Sequence, residues 1–344
     1  MVTLETTLTL CMAPSQPWER SWQEGAWVHK RNGVYYMLWS SRLYATPNYS
    51  TGFATAPHPL GPWTKHPSNP ILAKTERVSG PGHVSLAPSP DGAELFILYH
   101  THCTSAAGGA RQLAIDRLRF APDPPGPDRM FVEGPSVDPQ PYPSGAAPAQ
   151  AVLGLDEFDG PALDRRRWTA IWNEGPREWR LEGGRLKIET RNGDLRGARA
   201  DGRNVFLQHA PAGDWDAGTR AIFPAREDAE MAFLTVWRDC RNFLALKVGH
   251  AGGPTLIVAR QTNEEYSEQR FDNEWGDSLH LRVEKRGTLY RFLASPDAVA
   301  WTPLGEPIEA RFDGEKVGLG AFATDSGRHI LAEFDYFSLD PPRR

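Results

Sequence analysis

Cysteine is scarce in this chain, no aspartate occurs before Asp91, and no long apolar or basic run is present. The three cysteines, Cys11, Cys103 and Cys240, are far apart and odd in number. They give no disulfide framework and no CxxC metal motif, so a reduced compartment is expected. No basic run exceeds Arg165-Arg166-Arg167 and the net charge is −5, which excludes general attraction to nucleic acid or to an anionic membrane. The opening residues, MVTLETTLTLCMAPS, hold neither a basic region nor a long apolar core. No signal peptide, no membrane span and a cytoplasmic location are therefore expected.

Helical periodicity is missing too. What is present favours strands and turns: 12 Trp, 32 Gly and 30 Pro in 344 residues, a length that allows two domains. Such a composition suits all-β folds and surfaces that stack on sugars, although core packing is the ordinary use of Trp.

The stretch Glu24–Ser41, EGAWVHKRNGVYYMLWSS, reads as an acid at the mouth of a hairpin. Asn32-Gly33 is the turn, since both residues tolerate positive φ. Val34–Trp39 is too apolar for an edge strand facing water. Tyr49–Ala56 alternates as a strand. Ser79-Gly80-Pro81-Gly82 breaks the chain before His83. His83–Ala87 and Glu94–Thr101 are strands joined by the turn Pro90-Asp91-Gly92, and Arg111–Phe120 is another. Residues 121–150 are rich in Pro, Gly and Ala and suit a semi-rigid connection, with Met130–Val132 as a last short strand. The division expected is 1–135, a linker at 136–152, and 153–344. From Leu155 onward, short strands at intervals of about 8–12 residues indicate a β-sandwich. Its closing strand, Ala332–Leu339, echoes the opening Asp156–Gly160, as neighbouring first and last strands would.

Glu24 lies near Trp22 and Trp27. A carboxyl group among indoles loses hydration, which raises its pKa toward the range of a general acid. The plainer reading is a solvated strand-end glutamate. His83 alone reads as a core histidine and Arg111 as a surface strand residue.

Taken in order, EGAW at Glu24–Trp27 with KRNGVYYMLWS, LGPW at Leu60–Trp63, NPIL at Asn69–Leu72, GPGHVS at Gly80–Ser85, PDG at Pro90–Gly92, YH at Tyr99–His100 and RQLAIDRL at Arg111–Leu118 resemble the C-terminal half of the catalytic domain of glycoside hydrolase family 43. DEFDG at Asp156–Gly160, WRLEGGRLKI at Trp179–Ile188, Tyr290–Trp301 and Val317–Phe337 resemble the concanavalin A-like sandwich that follows such domains. The resemblance implies a partial, N-terminally shortened β-propeller of the five-bladed type, then a concanavalin A-like β-sandwich. It implies inverting hydrolysis of β-xylosides or α-L-arabinosides of plant-wall polysaccharides. Under it, Glu24 is the general acid, while His83 and Arg111 line the sugar site, with Trp27 and His100 as further sugar contacts. No cofactor is required. Calcium is a candidate at His83 through water, or at Asp156, Asp159 and Asp335. Trp172, Trp215, Trp237 and Trp275 are candidates for stacking on sugar.

One departure stands out. The family's general base and a second Asp precede the acid, and here only Glu5 and Glu19 do. The chain is expected to lack its own general-base Asp. It is expected either to act weakly or to be a non-catalytic carbohydrate-binding protein, or a remnant that completes its propeller with a partner, most simply a second copy.

Overall fold

A computed structural model describes residues 8–20, 22–104, 109–197 and 200–342. No α-helix occurs among them, and none is therefore long and apolar enough to cross a membrane. The chain divides into two compact units, Met1–Pro148 and Ala149–Arg344.

The first unit has two four-stranded antiparallel meanders. One is β1 (Gln23–Arg31), β2 (Val34–Ser41), β3 (Ser50–Ala56) and β4 (Thr64–Lys65). The other is β5 (Gly82–Pro88), β6 (Leu95–His102), β7 (Arg111–Ala121) and β8 (Arg129–Val132). The β1–β2 hairpin closes as the sequence requires. Arg31 pairs with Val34 around Asn32 at φ 49° and Gly33 at φ 82°. β2 lies between β1 and β3, which buries Tyr36, Leu38 and Trp39. Leu38 and Phe53 of the first sheet meet Val84, Ile97 and Tyr99 of the second in one apolar core. Each such side chain contributes about 1.5–3 kcal/mol on burial.

Residues after β8 are tied back onto this unit. Ser136 donates to the buried Asp116 through its amide and its hydroxyl, and Tyr99 donates its phenol proton to the same carboxylate. Ser144 donates its amide to Glu94. The Pro-rich stretch is thus pinned by hydrogen bonds over part of its length.

In the second unit the strands are β9 (Gly154–Asp156), β10 (Ala170–Trp172), β11 (Trp179–Leu181), β12 (Leu186–Glu189), β13 (Val205–His209), β14 (Trp215–Ile222), β15 (Glu230–Asp239), β16 (Asn242–His250), β17 (Pro254–Thr262), β18 (Glu265–Asp272), β19 (Ser278–Arg286), β20 (Leu289–Ser295), β21 (Thr302–Pro303), β22 (Ile308–Glu309), β23 (Lys316–Ala323) and β24 (Leu331–Asp340). They form two antiparallel sheets. The order in one is β10-β13-β23-β15-β16-β17-β18, and in the other β11-β12-β24-β14-β19-β20-β21, with β9 on β24 and β22 on β20. Phe337 pairs with Asp156 and Leu339 with Gly154, so the opening and closing strands are neighbours. The inner faces share a core that includes Trp168, Trp215, Phe206, Phe292 and Phe337. β18, with four charged residues in EYSEQRFD, forms an outer edge that the alternation of apolar residues did not reveal.

Cys103 and Cys240 are fully buried, and Cys11 is free.

Candidate active site

The site grows from two irregular strand starts. In β1 the register shifts between Glu24 and Trp27, around Gly25 at φ 63°. Such a bulge re-aims the side chain beside it. In β5 the register shifts between Gly82 and Ser85, and His83 itself sits at φ 54°, a conformation few non-glycine residues adopt. The two irregularities meet. A Cβ on residue 25 would stand 3.3 Å from both Cγ and Nδ1 of His83, so Gly25 leaves the room that the imidazole fills. The His83 amide donates to Ser40 Oγ at 2.8 Å, and Ser40 is the β2 partner of Glu24.

The break before His83 has a steric cause. A Cβ on Gly80 would stand 2.2 Å from the His102 ring, and one on Gly82 would stand 2.4 Å from the Tyr49 ring. The backbone therefore lies directly against both rings, which only glycine permits.

Tyr49 is fully buried and donates its phenol proton to Glu24 Oε1 at 2.8 Å. Burial first, and then the bond to Glu24, push the phenol far above its ordinary range. The Tyr49 ring stacks on His100, with centroids 5.5 Å apart and planes 10° apart. Burial pushes His100 down to about 3, helped by the charges of Arg111, His102 and His83. Its Nε2 is buried without a hydrogen-bond partner among the described residues. His102 is also buried. Its Nε2 donates to the Tyr44 carbonyl at 2.8 Å, and Ser79 Oγ lies 3.1 Å from its Nδ1. Burial lowers its basicity too, against the pull of that carbonyl. Both rings stay neutral at ordinary pH.

Arg111 opens β7 opposite His102, and its guanidinium lies 5.2 Å from the centre of the Tyr44 ring. Its charge acts on Tyr49, His100 and His102. Glu24, His83, His100 and Arg111 thus belong to one electrostatic neighbourhood. Trp27 is 39% exposed and Trp22 53%, so these indoles do not form the dry wall expected around Glu24.

Tyr49 and Ser40 were not foreseen as parts of the site, whereas His102, beside His100, reads from the sequence as a residue that either lines the cleft or stands in solvent. Tyr49 stands just outside β3 and meets an acid 25 residues away, a pairing that strand periodicity cannot signal. The nearest clue was the pair of glycines before His83.

Glu19 has another role than a spare base. Its side chain is fully buried and accepts hydrogen bonds from the Ser15 and Gln16 amides, Gln23, Trp39 and Lys65. Burial raises its carboxyl, but Lys65 and the two amides outweigh that and hold it below its usual range. Glu5 lies outside the described residues.

In the second unit Trp215 and Trp237 are buried, and Trp172 packs 5.0 Å from Trp237. Trp275 is 36% exposed. Asp156 accepts from the Phe158 amide and the Trp168 indole, while Asp335 is held by Arg185 and Arg220. Asp159 and Asp335 line a cavity of about 680 Å³ together with Glu157, Tyr336 and Asp340. No group of three or more metal-ligating side chains is assembled among the described residues.

Residues 2–124 match the family model described as Glycosyl hydrolases family 43. Residues 155–340 match that described as Beta xylosidase C-terminal Concanavalin A-like domain. The chain is 25% identical to a Xylan 1,3-beta-xylosidase from Vibrio sp, covering 91% of this chain and 64% of that protein. A stretch of 98 residues is 33% identical to a Beta-D-galactofuranosidase, xynD, from Aspergillus niger, 28% of each chain. The crystal structure of the GH43 protein BlXynB from Bacillus licheniformis is similar in fold, with TM-score 0.50 at 22% identity, over 94% of this chain and 66% of that one. The chain thus spans just under two thirds of the Vibrio and Bacillus proteins.

Proposed function

The chain belongs to glycoside hydrolase family 43, with the concanavalin A-like C-terminal domain, and from that premise we propose that it serves the inverting hydrolysis of xylosides or arabinosides with Glu24 as the general acid. The observation that carries this reading is the setting of Glu24. Its carboxyl is half-buried at a bulged strand start, one oxygen is held by Tyr49, and His83 packs over the adjoining Gly25. Among the described residues only Oε1 of Glu24 has a hydrogen-bond partner, so Oε2 is the oxygen able to face a glycosidic oxygen. The xylosidase name of the Vibrio relative supports a xyloside as substrate.

Inversion needs a second carboxylate, about 6.5–9.5 Å from the acid, to take a proton from the attacking water. Glu19 cannot serve, because its oxygens are occupied by Lys65, Trp39 and backbone amides. In this reading the chain supplies the acid, and the base comes from a group outside the described site.

The test compares phenyl and 4-nitrophenyl β-xylosides and α-L-arabinofuranosides with wild type and Glu24→Gln. Turnover by wild type is expected to be slow, and to rise with azide or formate, which attack without losing a proton. Glu24→Gln should lower turnover of the phenyl glycosides by roughly 10²-fold or more, and of the nitrophenyl glycosides much less, because a good leaving group needs no acid. Brisk turnover without added anion would show a base within the chain. Identical rates in wild type and Glu24→Gln would refute the role of Glu24 and leave carbohydrate binding as the function.

A further inference from the structure

We propose that Tyr49 is a positioning residue that sets which oxygen of Glu24 carries the transferable proton, an inference that rests on Glu24 being the acid. The fully buried phenol donates to Oε1 at 2.8 Å. In a protonated carboxyl the carbonyl oxygen is the better acceptor and the hydroxyl oxygen the poorer. A donor fixed on Oε1 therefore makes Oε1 the carbonyl oxygen and puts the proton on Oε2.

Tyr49 has little freedom to do otherwise. Its ring is held between His100 on one face and the backbone of Gly82, where any side chain would collide. The nearby Ser40 hydroxyl lies 2.9 Å from the Thr51 hydroxyl and accepts the His83 amide at 2.8 Å. Ser40 and Thr51 are both fully buried.

The arrangement favours proton release. As the proton leaves Oε2 for the glycosidic oxygen, that oxygen keeps the electron pair of the breaking C–O bond, and negative charge spreads over both oxygens of Glu24. The bond from Tyr49 then becomes charge-assisted and strengthens. An interaction stronger at the transition state than before it accelerates the step. Charged and titratable groups facing this pair come from three elements: His83 on β5, His100 and His102 on β6, and Arg111 on β7. Burial holds His100 down to about 3, so it stays neutral as pH falls toward 5, and burial lowers the basicity of His102 as well.

The experiment is a carbon-13 titration of the full chain labelled in its glutamate side chains. The Glu24 signal is assigned by its loss in Glu24→Gln. In Tyr49→Phe the Glu24 carboxyl is expected to titrate at higher pH than in wild type, because only the ionised form loses a strong donor. Gly82→Ala moves the ring instead of deleting its hydroxyl, and should shift the same signal in the same direction. On phenyl β-xyloside, kcat should fall roughly 10- to 100-fold with KM unchanged. Coincident Glu24 titrations in folded wild type, Tyr49→Phe and Gly82→Ala would overturn the proposal. If Glu24→Gln leaves turnover intact while Tyr49→Phe still shifts the titration, the acid role of Glu24 fails and the hydrogen bond stands.

Discussion

Replacing Lys65 by Met should cost the first unit far more than loss of a surface charge. Lys65 Nζ lies 2.7 and 2.8 Å from the two oxygens of Glu19, whose side chain is fully buried, and it also donates to the Ala13 carbonyl. Without it the carboxylate keeps neutral donors but no counter-charge. Breaking a buried pair from one side typically costs about 3–5 kcal/mol, against about 0–1 for an exposed pair. The urea midpoint for opening β2 and β3, read by hydrogen exchange, should then fall by about 1 M or more.

The pH dependence supplies an independent check. In the wild type the folded carboxyl is held below its ordinary value of 4.5, so its stabilisation is present above that value and is lost as pH falls through the lower folded one. In Lys65→Met burial is unopposed by the ammonium, and protonation relieves the buried charge. The difference between the two proteins should be full at pH 7 and close on acidification. A cost below about 1 kcal/mol, or a difference independent of pH, would refute the reasoning. Glu19→Gln combined with Lys65→Met should recover part of the loss.

Gly80→Ala should destabilise the first unit, since the added carbon would stand 2.2 Å from the His102 ring on a backbone at φ 58°; thermal unfolding with the milder Gly92→Ala, where nothing crowds the new carbon, is the comparison. His100 should show no imidazole titration by proton NMR between pH 8 and 5, because burial holds it down to about 3. As pH drops below the ordinary imidazole value of 6.5, the unfolded chain binds a proton that the folded one refuses, so stability should fall by on the order of 1 kcal/mol per pH unit until that lower value.

Local chemistry made much of the fold legible. Asn32-Gly33 gave the first hairpin, the apolar run of β2 gave a central strand, and strand spacing after Leu155 gave a sandwich. Three things were out of reach. Glu19 looked like a stray acid because its cation, Lys65, is 46 residues away. Tyr49 looked like part of a strand because its bond to Glu24 exists only once β1 bulges. β18 has almost no apolar alternation, so its strand state comes from eight paired residues on β17 rather than from its own pattern.

That last strand also bears on how the protein behaves in a crowded solution. An open sheet edge invites another chain to extend it, and proteins block this with charges or very short strands. The seven-stranded sheet uses one device at each end. β18 carries Glu265, Glu268, Arg270 and Asp272 along its length, and β10 offers only three residues. A strand arriving at β18 would have to dehydrate a row of carboxylates before gaining its first hydrogen bonds. Exchanging those acids for Val or Thr would leave the sandwich core untouched and make the protein far more prone to fibrous self-association.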